Sequence, residues 1–199
     1  MAGTPGSNSF QIDNFMSHLS SAATEPARSA LFKCKLASPG GKTLTTAPAT
    51  LTDNEFLVRA TSLPGLTITP IERQYLGRTI KIPGDMTFAE LAVTVINDDN
   101  YHIRNAIETW MAGINSHEEN KRHFGSKFTN ETADLELSIL NRAGTATAGN
   151  AYTFVDSWPT AIDPIELSWD TASDIEEFGI TFAYQYYTVD IAEASDDDG

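Results

Sequence analysis

Between Ala89 and Ile114 the hydrophobic pattern changes its period, and that change limits the possible folds more than any other feature of the chain. Ala89, Leu91, Val93 and Val95 alternate with other residues, the period of two that places one face of a β-strand against a core. Ile103, Ala106, Ile107, Trp110 and Ile114 then recur at the spacing of an amphipathic helix, expected at about 102–113. Between them, Asn97-Asp98-Asp99-Asn100 ends the strand and offers capping oxygens and negative charge to the positive end of the helix dipole. Gly113 is the expected helix stop. Upstream, Pro83-Gly84-Asp85 reads as a turn between two strands. The whole block lacks a catalytic pattern and reads as a segment built to assemble.

The rest of the chain is predominantly β. Phe32, Cys34 and Leu36 alternate as a first strand, and Glu55–Thr61 forms a second. A Leu63-Pro64-Gly65 corner leads to an extended stretch from Thr67 to about Lys81, with an apparent hairpin tip at Tyr75-Leu76-Gly77-Arg78. After the helix, Ser116–Ser126 is a polar loop, Leu135, Leu137 and Ile139 mark another strand, and a Gly/Ala/Thr-rich segment follows at Ala143–Ala151. Ile165, Leu167 and Trp169 read as one late strand, and Phe178, Ile180, Phe182, Tyr184 and Tyr186 as another, with Asp170–Asp174 turning between them. About seven short strands with one helix predict two packed antiparallel sheets, a small β-sandwich or barrel with one flanking helix. An aromatic ligand platform would interleave basic residues; the Phe178–Tyr187 stretch has none, so it is expected to be core.

Charge is segregated. The last basic residue is Arg142, and Ala143–Gly199 holds twelve acidic residues and no basic one, which carries −12 of the chain's −14. Such a surface repels nucleic acid and anionic membranes rather than binding them. No apolar run approaches the roughly 18–20 residues that span a bilayer, and no signal-peptide profile opens the chain, so a soluble protein made in the cytoplasm is expected. Cys34 is the single cysteine and reads as a buried strand residue.

Catalytic and ligand motifs fail on inspection. Gly40-Gly41-Lys42-Thr43 ends like a phosphate loop, but Leu36 stands where the earlier glycine is required. His117 and His123 flank Glu118-Glu119-Asn120-Lys121-Arg122 without a third ligand at metal spacing. Asp98-Asp99 and Glu176-Glu177 are explained by capping and solubility. No cofactor, metal or catalytic residue is expected, and the chain does not read as an enzyme.

Four ordered segments carry a family resemblance. IPGDMTFAELAVTVIND (Ile82–Asp98) is followed by a helix of the pattern R-x-x-x-E-x-W at Arg104, Glu108 and Trp110. ATSLPG (Ala60–Gly65), DSWPTAIDPIELSWD (Asp156–Asp170) and EEFGITFAYQYY (Glu176–Tyr187) complete the set. Over residues 55–190 the chain resembles the tail tube proteins of contractile-tailed, myovirus-type bacteriophages. The resemblance implies homohexameric rings stacked into a hollow tube, with six subunits' sheets joined around the bore. It also implies the partners: sheath, baseplate, tail terminator and tape-measure protein, with DNA as passing cargo and no membrane. The protein would reside in the virion tail after assembly in the host cytoplasm. Residues 29–190 would form one tail-tube domain, with an N-terminal arm at 1–28, an insertion at 38–54 and an acidic tail at 191–199. The arm and the insertion exceed the family minimum. Tyr75, Leu76, Gly77 and Arg78 are the candidate inter-subunit contacts, because an apolar residue at a hairpin tip is wasted in a monomer. A tube of a secretion or injection system that delivers protein effectors, and a monomeric acidic β-domain that binds a ligand, are the alternatives.

Overall fold

The computed structural model describes residues 28–39, 57–119, 121–122, 128–170 and 175–190, together with Ile12 and Met16. Most of the 1–28 arm, the Gly40–Thr43 motif, His123 and the acidic tail lie outside the described residues, as does most of the 38–54 insertion. Nine strands, one α-helix and a short 3₁₀ helix at Phe128–Asn130 are described, the main elements being β1 (Phe32–Lys35), β2 (Val58–Thr61), β3 (Leu66–Tyr75), β4 (Arg78–Phe88), β5 (Leu91–Ile96), α1 (His102–Ile114), β6 (Ala133–Leu140), β7 (Ala146–Ile162), β8 (Glu177–Ala183) and β9 (Tyr186–Val189).

Two antiparallel sheets share β7. Its first half pairs with β6 and β9, and β1 extends that sheet beyond β6. From Trp158 onward β7 pairs with β8, which continues through β5 to β2. The crossing point is Asp156, at φ 53. Its N–H donates to the Asp134 carboxylate at 3.0 Å, and its own carboxylate accepts from the Thr132 hydroxyl at 3.0 Å. The path of strands ends at β1 and β2 without closing, so the molecule is a sandwich rather than a barrel. β3 and β4 stand apart as a two-stranded hairpin.

The core follows from the two periods. Leu91, Val93 and Val95 of β5 pair with Phe182, Ile180 and Phe178 of β8, and all six are buried. Cys34, Leu135, Leu137 and Phe154 come from the other sheet. Ile103, Ala106, Ile107 and Trp110 turn one stripe of α1 into this cluster, where Trp110 lies 6.3 Å from Phe182 between ring centres. The buried indole N–H donates to the Glu131 carbonyl at 2.7 Å, so its burial leaves no orphan donor.

Several expectations fail for local reasons. Pro83-Gly84-Asp85 is a bulge inside β4, not a turn. Pro83 faces Pro70, neither has an N–H to give, and the ladder shifts there by one residue. The N-cap position is Tyr101, in the left-handed region, but the expected cluster does supply a capping oxygen, with Asp98 accepting from the His102 N–H at 2.8 Å. Gly113 lies inside the helix and is buried; the C-cap is the extended Asn115. The Gly/Ala/Thr-rich residues Ala146–Ala151 are the start of β7, the longest of the described strands. Ile165–Trp169 form no strand, and Leu167 and Trp169 are exposed. The run from Phe178 to Tyr187 is two strands. It breaks at Tyr184-Gln185 and changes sheets, so Tyr187 packs on the core while Tyr186 faces outward.

A candidate assembly surface

The hairpin projects from a fixed base. Phe88 at the end of β4 meets Tyr184 and Tyr187 at ring-centre distances of 6.0 and 5.6 Å. The Tyr184 hydroxyl donates to the Ala89 carbonyl at 2.7 Å, and the Ala89 N–H donates to the Gly65 carbonyl at 3.1 Å. Burial holds the Tyr184 phenol above its ordinary pKa, with Tyr187 adding to the effect, so it remains a donor.

Beyond that base neither side of the hairpin is covered. Every residue of β3 is exposed, and so is nearly all of β4. Directly opposed residues of an antiparallel pair share a face, so the register sorts the side chains. In the inner half, Leu66 and Ile68 lie with Phe88 and Met86, and Thr67 opposes Thr87 on the other side. In the outer half, Ile71, Arg73 and Tyr75 lie with Ile82, Ile80 and Arg78. The reverse side carries Glu72 against Lys81 at 3.6 Å and Gln74 against Thr79 at 3.1 Å. Alternation along β3 puts Leu66 and Ile68 on the side of Glu72, so the apolar patch changes sides at the bulge. Gly84 sits there because a Cβ would come within 2.5 Å of the Thr69 carbonyl and 2.7 Å of Ile71.

The tip turn is Leu76-Gly77, both with positive φ, at 46° and 78°. Two left-handed residues define the type I′ turn that fits the twist of a hairpin, and Asn-Gly is its favoured pair. A leucine there is strained, and its side chain is 90 % exposed. The structure thus brings Tyr75, Leu76, Gly77 and Arg78 together on one tip. The sequence reading placed the contact on the Thr67–Lys81 stretch but named only its tip residues; Ile71, Arg73 and Ile80 lie within that stretch, and Ile82 lies just beyond it. The alternation of Arg78, Ile80 and Ile82 was the available signal.

A second exposed apolar region follows β7. Leu167, Trp169 and Ile175 are all exposed, Trp169 fully. They line a cleft of about 840 Å³ together with Ile165, Glu166 and Glu176. Glu176 accepts from the Tyr101 hydroxyl at 2.9 Å, which pushes the phenol pKa upward. Glu177 is paired with Arg59.

Residues 27–190 match the phage tail tube protein family. The chain belongs to that family. This tail tube protein is 27 % identical over 132 residues to the tail tube protein gp19 of Enterobacteria phage T4, covering 66 % of this chain and 79 % of that one. Identity and coverage are the same for the tail tube protein gp19 of Enterobacteria phage T6. Among solved structures, the tube-terminating cap of the anti-feeding prophage has the same fold, with a TM-score of 0.58 at 18 % identity over 84 % of this chain and 92 % of that one. The sheath–tube complex of the extracellular contractile injection system PVC gives 0.56 at 17 % identity over 82 % and 90 %. A tail tube protein is a structural component rather than an enzyme.

Proposed function

We propose that the protein forms homohexameric rings that stack into the hollow inner tube of a contractile phage tail, through which DNA leaves the particle. The observation that carries this reading is the β3–β4 hairpin. It bares apolar residues on both faces, on opposite sides of its bulge, and a strained leucine at its tip. A soluble monomer gains nothing from such an arm, whereas neighbours that cover both faces make it an assembly element. Tyr75, Leu76, Gly77 and Arg78 are its tip contacts. Residues 29–190 act as the single assembling domain.

The same proposal places a sheath outside the tube, a baseplate and a terminator at its ends, a tape-measure protein within, and the finished tube in the virion after assembly in the host cytoplasm. The acid excess after Arg142 supports transit of DNA without retention. The similarity to phage gp19 proteins favours genome delivery over the export of protein effectors. The test is negative-stain electron microscopy of the purified full chain over a concentration series, with hydrodynamic mass measured in parallel. Six-fold rings or hollow tubes are expected. A monomer that stays monomeric even with a baseplate seed would overturn the reading.

A further inference from the structure

The outer face of the hairpin and the cleft after β7 are chemical complements. Ile71, Ile80, Ile82 and Tyr75 surround two cations, Arg73 and Arg78. Leu167, Trp169 and Ile175 surround carboxylates, with Glu166 in the cleft and Asp170 beside it. None of Arg73, Arg78, Glu166 and Asp170 has an ion-pair partner among the described residues. The cleft also holds the paired Arg59 and Glu177, and Glu176, which accepts from Tyr101, so its unpaired charge is the carboxylate of Glu166, and the unpaired charges of the two surfaces are opposite in sign.

We propose that the outer hairpin face of one copy docks on the cleft lined by Leu167, Trp169 and Ile175 of a second copy, with Arg73 and Arg78 against Glu166 and Asp170. This rests on the tube reading and specifies one of its contacts. Two different patches meet in such a contact, so it is heterologous: each subunit keeps one hairpin and one cleft free for the next. Apolar burial supplies the attraction, and the opposite charges set the register and exclude a hairpin-to-hairpin pairing, where arginines would face arginines.

Two experiments on the full chain test it. In the first, Arg73→Glu with Arg78→Glu, or Glu166→Lys with Asp170→Lys, raises the concentration needed for assembly at least tenfold. The four changes in one chain restore assembly to within a few-fold of the parent. Failure of the combined chain to recover, while each charge variant keeps the parent's circular dichroism, overturns the docking. In the second, Ile80→Cys with Leu167→Cys in one chain is oxidised after assembly; the buried native Cys34 does not compete. A ladder of disulfide-linked multimers is expected. An intramolecular link, or none in tubes of normal appearance, overturns the docking and leaves Leu167, Trp169 and Ile175 to the sheath or another partner. Rings without the link refute this contact alone, whereas a parent chain that never assembles refutes the tube reading with it.

Discussion

Replacing Leu76 with asparagine should move local stability and assembly in opposite directions. A left-handed L-residue costs about 1–2 kcal/mol, and asparagine recovers part of this through local hydrogen bonds. At φ 46 beside Gly77, Leu76→Asn also creates the favoured pair of a type I′ turn. A gain of about 1 kcal/mol in the free hairpin corresponds to roughly fivefold slower amide exchange across β3 and β4. The side chain is 90 % exposed in the monomer, so its full burial against a neighbour contributes about 2 kcal/mol per contact. Asparagine forfeits that contribution, and the critical concentration for tubes should rise about 30-fold. The turn strain is common to free and assembled states and cancels from the second number. Hydrogen exchange of the monomer reads the first effect and sedimentation of tubes the second. Exchange that does not slow would refute the strain, and an unchanged critical concentration would refute the burial.

Two further outcomes follow from single groups. Gly84→Ala drives a Cβ against the Thr69 carbonyl and Ile71, so the bulge should open at a cost of about 1–3 kcal/mol. Hydrogen exchange should quicken in β3 and β4 with protection of β5 and β8 unchanged, and tube formation should weaken. Burial pushes the Cys34 thiol from 9.0 up to about 12. The raised value favours the neutral thiol in the fold, so its contribution is complete below pH 9 and is lost as pH rises from 9 towards 12. The melting temperature of the parent should therefore fall more steeply over that window than that of Cys34→Ala, and native Cys34 should resist alkylation at pH 8.

The parts of the fold legible in the sequence were those where one physical signal acts alone. Ile103–Trp110 and Leu91–Val95 each have one buried face, and their periods survive intact in α1 and β5. The Phe178–Tyr187 run shows where that signal fails. Its even positions are apolar throughout, but the chain changes sheets at Tyr184, and a change of sheet resets which parity faces inward. β7 was illegible because AGNAYT looks like a loop and because its pairing partners lie on two sheets. Ile165, Leu167 and Trp169 alternate as a strand would, yet among the described residues no strand pairs with them. On the assembly surface the tip was legible from Leu76-Gly77, since local turn chemistry marks it. The switch of the apolar side at Gly84 was not, because it depends on which residues oppose one another across the hairpin.

β7 gives the two layers a mechanical relation that packing alone would not. A sandwich of separate sheets resists shear only through interdigitated side chains, which slip once the load exceeds many weak contacts. Here one uninterrupted backbone runs from the first layer into the second, held at its corner by Asp134 and Thr132. A force applied to either layer passes along covalent bonds, and the ladders on each half of β7 distribute it over both. In the proposed tube, a subunit pushed lengthwise by a sheath would have to transmit thrust, and this corner ties the two layers of each subunit into one unit.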